Sequence, residues 1–276
     1  MNNKIKLAMV AFVAIISIAG CQKEINYNDP NGNNCKLSNL VLSLPGLGDF
    51  GLSFTYDASG KLIKAVSNDD TMNYAYSTNK ITATDQDGKV REISLSNGRA
   101  VSSSAPDYIQ INGMSYDIKR NYTFNAEGYL ATVKNYVNSE LNSTDVITYT
   151  NGNLTKSEVT FALGGDKETT VYEYSNALAV NTYEMADPMS THVDYFPGKY
   201  YGIQSKNVLI KSTTTYSNPT NSSISSVMVT DHKYQFDAKG NAISISLDTK
   251  TYDDQSGKLV LIDEYLITNK LTYDCK

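Results

Sequence analysis

Short stretches in which apolar and polar residues alternate fill the chain from residue 35 onward. Ile243-Ser-Ile245-Ser-Leu247 and the stretch from Tyr265 to Leu271 are examples, and this alternation places apolar side chains on one face of a strand. No window has the spacing of an amphipathic helix, which a parallel sheet would need for its crossover connections. The pattern therefore predicts an all-β protein built from antiparallel strands.

A repeated turn phrase separates these stretches. Aromatic-Asp/Asn-Ala-x-Gly occurs at residues 56–60, 124–128 and 236–240, and shorter Asn-Gly turns occur at 97–98 and 151–152. Asp and Asn bond back to their own backbone, and Gly accepts a positive φ, so each phrase predicts a hairpin between sequence neighbours. Unpaired edge strands of such a long sheet would recruit other chains. We therefore predict an up-and-down meander that is strongly curled or closed into a barrel.

The segment 175–205 interrupts this rhythm and is rich in Pro, Met and aromatic residues. We expect an irregular excursion that packs against the sheet. Tyrosine is abundant in the chain, with 21 Tyr against 7 Phe, and most of it is expected to have a structural role in strands. The cluster Tyr195, Phe196, Tyr200 and Tyr201 has an irregular setting, and it is the predicted binding surface for a glycan or protein ligand.

The N-terminus has the pattern of an export signal. Lys4 and Lys6 precede an uncharged apolar run over residues 7–18, which is too short for a bilayer-spanning helix. The following Ile18-Ala-Gly-Cys21 resembles the lipobox of bacterial lipoproteins, and that resemblance implies that Cys21 receives a diacylglycerol, with palmitate among its acyl chains. We predict a signal peptide over residues 1–20, a lipidated Cys21 with a flexible tether over 21–34, and a single β domain over 35–276.

The charge of the predicted mature chain argues against nucleic-acid binding. Removal of residues 1–20 takes away Lys4 and Lys6, which leaves 22 basic against 29 acidic side chains, a net charge of −7. Nucleic-acid binding needs concentrated Lys and Arg, and the chain has no basic cluster. The predicted partner is a membrane reached through the lipid anchor, and the predicted location is the outer membrane, on its periplasmic or exposed face.

Two further cysteines, Cys35 and Cys275, open and close the predicted β domain. An exported chain passes through an oxidising compartment in which disulfides form. The two residues are a candidate disulfide that would join the chain ends, and the alternative is a pair of half-buried thiols. The bridge would constrain the unfolded chain by about 4–5 kcal/mol in the chain-entropy model.

The sequence offers little catalytic chemistry. His192 and His232 are the only histidines, which is too few for a His-rich metal site, and no cofactor or metal ligand set is predicted. Asp231 beside His232 would orient an imidazole, but a strand histidine next to an aspartate is ordinarily a surface feature. The carboxylate pairs Asp69-Asp70 and Asp253-Asp254 are the basis of a hydrolase alternative. No nucleophile elbow or phosphate-binding loop is present.

The turn phrases, together with Tyr149-Thr-Asn-Gly-Asn-Leu-Thr-Lys156 and Tyr200-Tyr-Gly202, are similar to those of a family of uncharacterised secreted lipoproteins from gut bacteria. That family is a domain of unknown function with a porin-like fold, and its turns resemble the Tyr-Asp repeats of secreted shell-forming proteins. The resemblance implies a barrel-like sheet and no catalytic residues. We therefore predict a non-enzymatic, lipid-anchored envelope protein that binds a ligand or partner, with a structural or shielding protein as the alternative.

Overall fold

Sixteen antiparallel strands form one closed barrel. The computed structural model describes residues 35–67, 70–111, 114–179, 188–193, 198–218, 224–255 and 258–275. The strands are β1 Cys35–Leu44, β2 Gly48–Tyr56, β3 Leu62–Ser67, β4 Asp70–Tyr76, β5 Lys80–Thr84, β6 Val90–Ser96, β7 Arg99–Ile111, β8 Met114–Phe124, β9 Leu130–Val137, β10 Glu140–Thr150, β11 Asn153–Phe161, β12 Lys167–Leu178, β13 Asn207–Ser217, β14 Ile224–Phe236, β15 Ala242–Asp254 and β16 Leu259–Cys275.

Each strand pairs with its neighbours in sequence, and β1 pairs with β16 to close the sheet. In this seam Cys35 is opposite Cys275 and Leu40 is opposite Leu271. The predicted all-β meander is thereby confirmed, and of the two predicted forms, curled or closed, the sheet has the closed one. Residues 1–34, which contain the predicted signal, Cys21 and the tether, lie outside the described residues.

The turn phrases form the hairpins that the sequence predicts. The Asp57 carboxylate accepts hydrogen bonds from the Lys61 backbone N–H at 2.9 Å and from the Ser59 hydroxyl at 2.7 Å. These bonds, led by that from Ser59, lower the pKa of Asp57. Gly60 has a φ of +91°, a conformation that other residues adopt only with strain. The turn at Asn125 repeats this arrangement through its bond to the Tyr129 N–H at 2.9 Å.

The two ends of the barrel carry different sets of connections. The terminal end, as we call it, contains Cys35, Cys275 and the turns at residues 57–61, 77–79, 97–98, 125–129, 151–152 and 237–241. The opposite, distal end contains the connections β1–β2, β3–β4, β5–β6, β7–β8, β9–β10, β11–β12, β13–β14 and β15–β16. The wall is uneven, because β5 has five residues whereas β16 has seventeen.

The hydrophobic core lies inside the barrel. Alternate residues of each strand are buried there, and they share apolar or aromatic side chains, including Leu40, Leu52, Phe54, Leu62, Tyr74, Ile81, Ile93, Tyr122, Leu130, Val133, Leu154, Ile245 and Leu271. Each apolar side chain of this kind contributes about 1.5–3 kcal/mol when it leaves water. The predicted alternation of apolar and polar residues is thus an alternation between the inside of the barrel and its outer wall.

The outer wall carries charged pairs on several strands, alongside exposed apolar side chains that include Val146 and Val171. Lys80 pairs with Glu92 at 2.7 Å, Lys156 with Glu158 at 3.0 Å and Lys250 with Glu264 at 3.1 Å, and all six side chains are solvent-exposed. Such pairs stabilise a protein by at most about 1 kcal/mol each. Their importance is that they place charge on the outside of the wall. Among the described residues, no helix is long and apolar enough to cross a membrane.

Candidate functional site

The described parts of the β12–β13 connection, residues 188–193 and 198–206, form an insert that enters the barrel. Its described parts include two 3-10 helices, Pro188–Thr191 and Gly198–Tyr201. The Tyr200 ring lies 6.5 Å from the ring of Tyr76 on β4, and the Tyr201 ring meets Tyr122 on β8 edge-on at 5.1 Å. Because β4 and β8 are separate parts of the wall, contact with both places the insert in the lumen. A sixteen-stranded barrel is too wide for its own side chains to fill, and the insert occupies part of that space.

The described members of the predicted aromatic binding surface are packing residues in this conformation. Tyr200 is 7% exposed and Tyr201 is fully buried. Tyr195 and Phe196 lie outside the described residues. The expected exposed surface is therefore not formed by Tyr200 and Tyr201, because both rings are covered by the barrel wall. A binding role for the cluster stays a prediction.

The return of the insert to the wall depends on close backbone contacts at the terminal end. The Ile203 N–H donates to the Gly128 carbonyl at 3.2 Å, and the Lys206 N–H donates to the Gly152 carbonyl at 2.9 Å. Gly202 has a φ of +97°, and a Cβ atom at this position would lie 2.6 Å from the Gly128 carbonyl oxygen. Only glycine fits this position without displacement of the neighbouring turn.

We expect Gly202→Ala to be more destabilising than Gly46→Ala by about 1–3 kcal/mol, the range for overpacked sites. Both glycines have a positive φ, so both variants incur backbone strain of about 1–2 kcal/mol. No atom lies within 4 Å of a Cβ added at Gly46, so the difference measures the clash of the added Cβ with the Gly128 carbonyl and the Phe124 ring. Chemical denaturation of the two variants measures it, and equal losses would contradict this account of the insert.

A buried polar cluster joins the insert to the wall. His192 Nδ1 lies 3.1 Å from Asp145 Oδ2, and both side chains are 6% exposed. The Asn135 side-chain amide donates to Asp145 Oδ1 at 3.0 Å, and the Ser143 hydroxyl donates to the same atom at 3.3 Å. Buried carboxylates require such partners, because desolvation without them is costly. Asp145 therefore fixes the first 3-10 helix and its flanking residues against β10.

Hydroxyl groups and a second carboxylate extend the cluster along β12 and β13. Burial raises the pKa of Glu168, which is close enough to interact with both Asp145 and His192. Burial also raises the pKa of Tyr172 to about 12, and its hydroxyl bonds with Ser157 at 3.1 Å. The Tyr172 hydroxyl therefore stays protonated at neutral pH. The cluster is arranged as a structural contact between the insert and the wall rather than as a site that a substrate reaches, because Asp145 and His192 are buried.

The Asp–His pair that the sequence singled out is not formed. Asp231 and His232 are adjacent in β14, so their side chains point to opposite faces of the sheet. His232 faces inward opposite Leu247, and Asp231 is exposed. The adjacent Asp253 and Asp254 of β15 diverge for the same reason, and Asp69 lies outside the described residues. The pair that does form, Asp145 with His192, spans 47 residues and leaves no local signal in the sequence.

We expect His232 to make the fold sensitive to acid. Burial lowers the pKa of His232 to about 4 from its ordinary 6.5. Between these values the unfolded chain binds a proton that the folded barrel excludes, so stability is present above pH 6.5 and is lost as the pH falls to 4. The loss is on the order of 3 kcal/mol. His232→Leu removes this component, so the unfolding free energies of the two proteins should converge or cross as the pH falls. Parallel profiles from pH 7 to pH 4 would contradict it.

Beyond the buried cluster, several inward-facing side chains in the distal half of the barrel are only partly buried. Tyr216, Thr251 and Tyr265 face inward and are only half-buried, and Asp263 faces inward and is exposed. Tyr216 bonds with Glu168, and Tyr265 bonds with Thr249. Aromatic rings and hydroxyls with a few carboxylates thus line a concave surface that water reaches. Across the described ranges, no group of three or more His, Cys, Asp or Glu side chains could hold a metal ion.

Solved structures with this fold come from gut bacteria. A porin-like protein from Bacteroides uniformis matches 86% of this chain and 98% of its own, with a TM-score of 0.59 and 15% identity. A porin-like protein from Bacteroides vulgatus covers the same shares, with a TM-score of 0.54 and 14% identity. At these identities the likeness shows the fold alone. No protein-family model matches the chain, and no curated protein matches it.

Proposed function

We propose that this chain is a lipid-anchored, non-enzymatic envelope protein. Its barrel is surrounded by water and binds a ligand or partner in the distal half of its lumen. The observation that carries this proposal is the distribution of polar groups. Charged pairs lie on the outer wall, and partly buried tyrosines, hydroxyls and carboxylates face inward in the distal half of the barrel.

The charges on the outer wall favour water rather than lipid as the surroundings of the barrel. A membrane barrel presents an apolar band to lipid, and charge on that face is destabilising. Outward positions of this wall include Lys211, Thr213 and Thr215 of β13 and the ion pair Lys250–Glu264. A protein of this kind reaches the envelope through an attached lipid rather than by insertion of its wall. The sequence supplies the attachment point in Cys21.

The lipid anchor is tested by replacing Cys21. The Cys21→Ser variant should lose palmitate labelling and move from the membrane fraction to the soluble fraction. Asn26→Ser in the predicted tether serves as the control, because it leaves both Cys21 and the Cys35–Cys275 disulfide in place. Unchanged fractionation of Cys21→Ser would overturn the anchor.

The binding proposal is tested with paired tyrosine variants. Tyr216→Ala/Tyr265→Ala removes two rings from the distal lumen, and Tyr136→Ala/Tyr252→Ala removes two rings from the outer wall. Glycan arrays and pull-down from solubilised envelopes should show a bound molecule that the lumen variant loses and the outer-wall variant retains. If wild-type protein captures nothing in both assays, the shielding role is favoured. Turnover of glycans or esters by wild-type protein would overturn the non-enzymatic assignment.

A further inference from the structure

The two ends of the barrel differ in charge. The described residues near the distal connections are mostly acidic. Eleven carboxylates and four cations lie within two positions of a distal connection or, in two cases, contact such a turn. They are Asp49, Asp70, Asp85, Asp87, Asp107, Asp117, Glu140, Asp166, Glu168, Asp253 and Asp254 against Lys89, Arg91, Lys167 and Lys258. Asp107 and Asp117 belong here because Lys89 Nζ donates to the Asp107 carbonyl at 3.4 Å and Asn138 N donates to the Asp117 carbonyl at 3.0 Å. The distal end is thus strongly acidic.

The terminal end has the opposite balance. By the same measure, and leaving aside the 3-10 helices of the insert, its described residues comprise six cations and four carboxylates, namely Lys36, Lys61, Lys80, Arg99, Lys206 and Lys239 against Asp57, Glu127, Asp237 and Asp274. Two of the carboxylates, Asp57 and Asp237, are bonded to the backbone of their own turns. These described residues therefore carry an excess of positive charge at one end of the barrel and a larger excess of negative charge at the other.

The chain ends emerge at the more positive end. Cys35 and Cys275 both lie there, and Cys21 precedes Cys35 by fourteen residues. An extended tether of that length reaches at most about 50 Å. It keeps the barrel near the lipid, but a flexible tether by itself leaves the barrel free to turn.

We infer that the terminal end is a membrane-facing surface that rests against anionic lipid headgroups. The inference depends on the proposed anchor at Cys21. Each Lys or Arg near an anionic bilayer contributes about 1 kcal/mol within a Debye length of about 8–10 Å. The acidic distal end is repelled by the same surface, so the charge distribution selects one orientation from those that the tether allows.

This orientation directs the distal lumen away from the bilayer. The insert returns to the wall at the terminal end, through Ile203 and Lys206, and so lies on the membrane side. The half-buried tyrosines of the distal lumen then open toward the medium. A ligand would reach them without passing the headgroup layer.

Fluorescence quenching on vesicles tests the orientation. Full-length acylated protein carries a fluorophore on Ala238→Cys at the terminal end or on Leu163→Cys at the distal end, where the native side chain is 93% exposed. Vesicles of phosphatidylcholine and phosphatidylglycerol contain a headgroup-attached quencher. Strands of about ten residues separate the ends by about 25–30 Å. The label at 238 should therefore be quenched several-fold more strongly than the label at 163.

Charge-reversed variants make the test specific. Lys206→Glu/Lys239→Glu should reduce the difference in quenching between the two labels. Lys167→Glu/Lys258→Glu makes the same change in net charge at the distal end, and this variant should keep the difference in quenching. Omission of phosphatidylglycerol should act like the first pair. If the protein floats with the vesicles and both labels are quenched equally, the orientation is wrong while the anchor stands. If the acylated protein does not float, both proposals fall.

Discussion

Replacement of both Cys35 and Cys275 by serine should lower the free energy of unfolding by about 4–5 kcal/mol. In the structure these residues form a disulfide that links β1 to β16 across a separation of 240 residues. A link across so long a loop removes many conformations from the unfolded chain, and the folded barrel is then favoured. Urea denaturation of the barrel under oxidising conditions measures the loss.

The disulfide prediction has an internal control. Wild-type protein treated with a reductant should show the stability of the double variant, because the two differ only in the thiol groups. The β1–β16 hydrogen bonds remain in both. If the reduced and oxidised wild-type proteins unfold at the same urea concentration, or if mass mapping of the exported protein finds two free thiols, the bridge is absent.

Asp145→Ala should cost about 3–5 kcal/mol, because it leaves several buried hydrogen-bonding groups unsatisfied at about 1–3 kcal/mol each. The substitution leaves His192, Asn135 and Ser143 without their common acceptor inside the barrel. Hydrogen exchange should show increased opening in the insert before the strands, because Asp145 is the wall residue to which His192 is bonded. Asp231→Ala removes an exposed carboxylate from the outer wall and should change stability by less than about 0.5 kcal/mol.

A double-mutant cycle separates this contact from general damage to the core. Asp145→Ala/His192→Leu should be less destabilising than the sum of the two single variants, because the apolar replacement no longer requires an acceptor. Additive losses would show that the pair does not hold the insert. Asp145→Asn keeps an acceptor oxygen and is expected to fall between wild type and Asp145→Ala.

The barrel itself could be predicted because residues close together in the sequence determine its hairpins and the faces of its strands. Asp57 and Gly60 specify their hairpin within five residues, and strands such as Ile243–Leu247 specify their inner face by alternation. Closure followed from the need to cover edge strands. Each of these inferences uses only residues close together in the sequence.

The interior could not be predicted in the same way. The pairing of Asp145 with His192 depends on the path of the insert, and that path depends on the width of the lumen and on Tyr76 and Tyr122 as packing partners. The sequence placed the aromatic residues of the insert against the sheet but left open which side. It singled out Asp231 beside His232, interpreted that pair as a surface feature, and gave no sign of the distant pair, because adjacency in sequence is visible and register around a sixteen-stranded wall is not.

The seam between β1 and β16 sets the order in which the barrel can fold. Each of the other strand pairs joins sequence neighbours, so those hairpins can begin to form while the chain is being synthesised. The seam requires Cys35 and Cys275 to meet, and β16 is the last strand to be made. Until β16 is complete, β1 remains an open edge that can pair wrongly, and closure of the ring is the step with the largest loss of chain entropy.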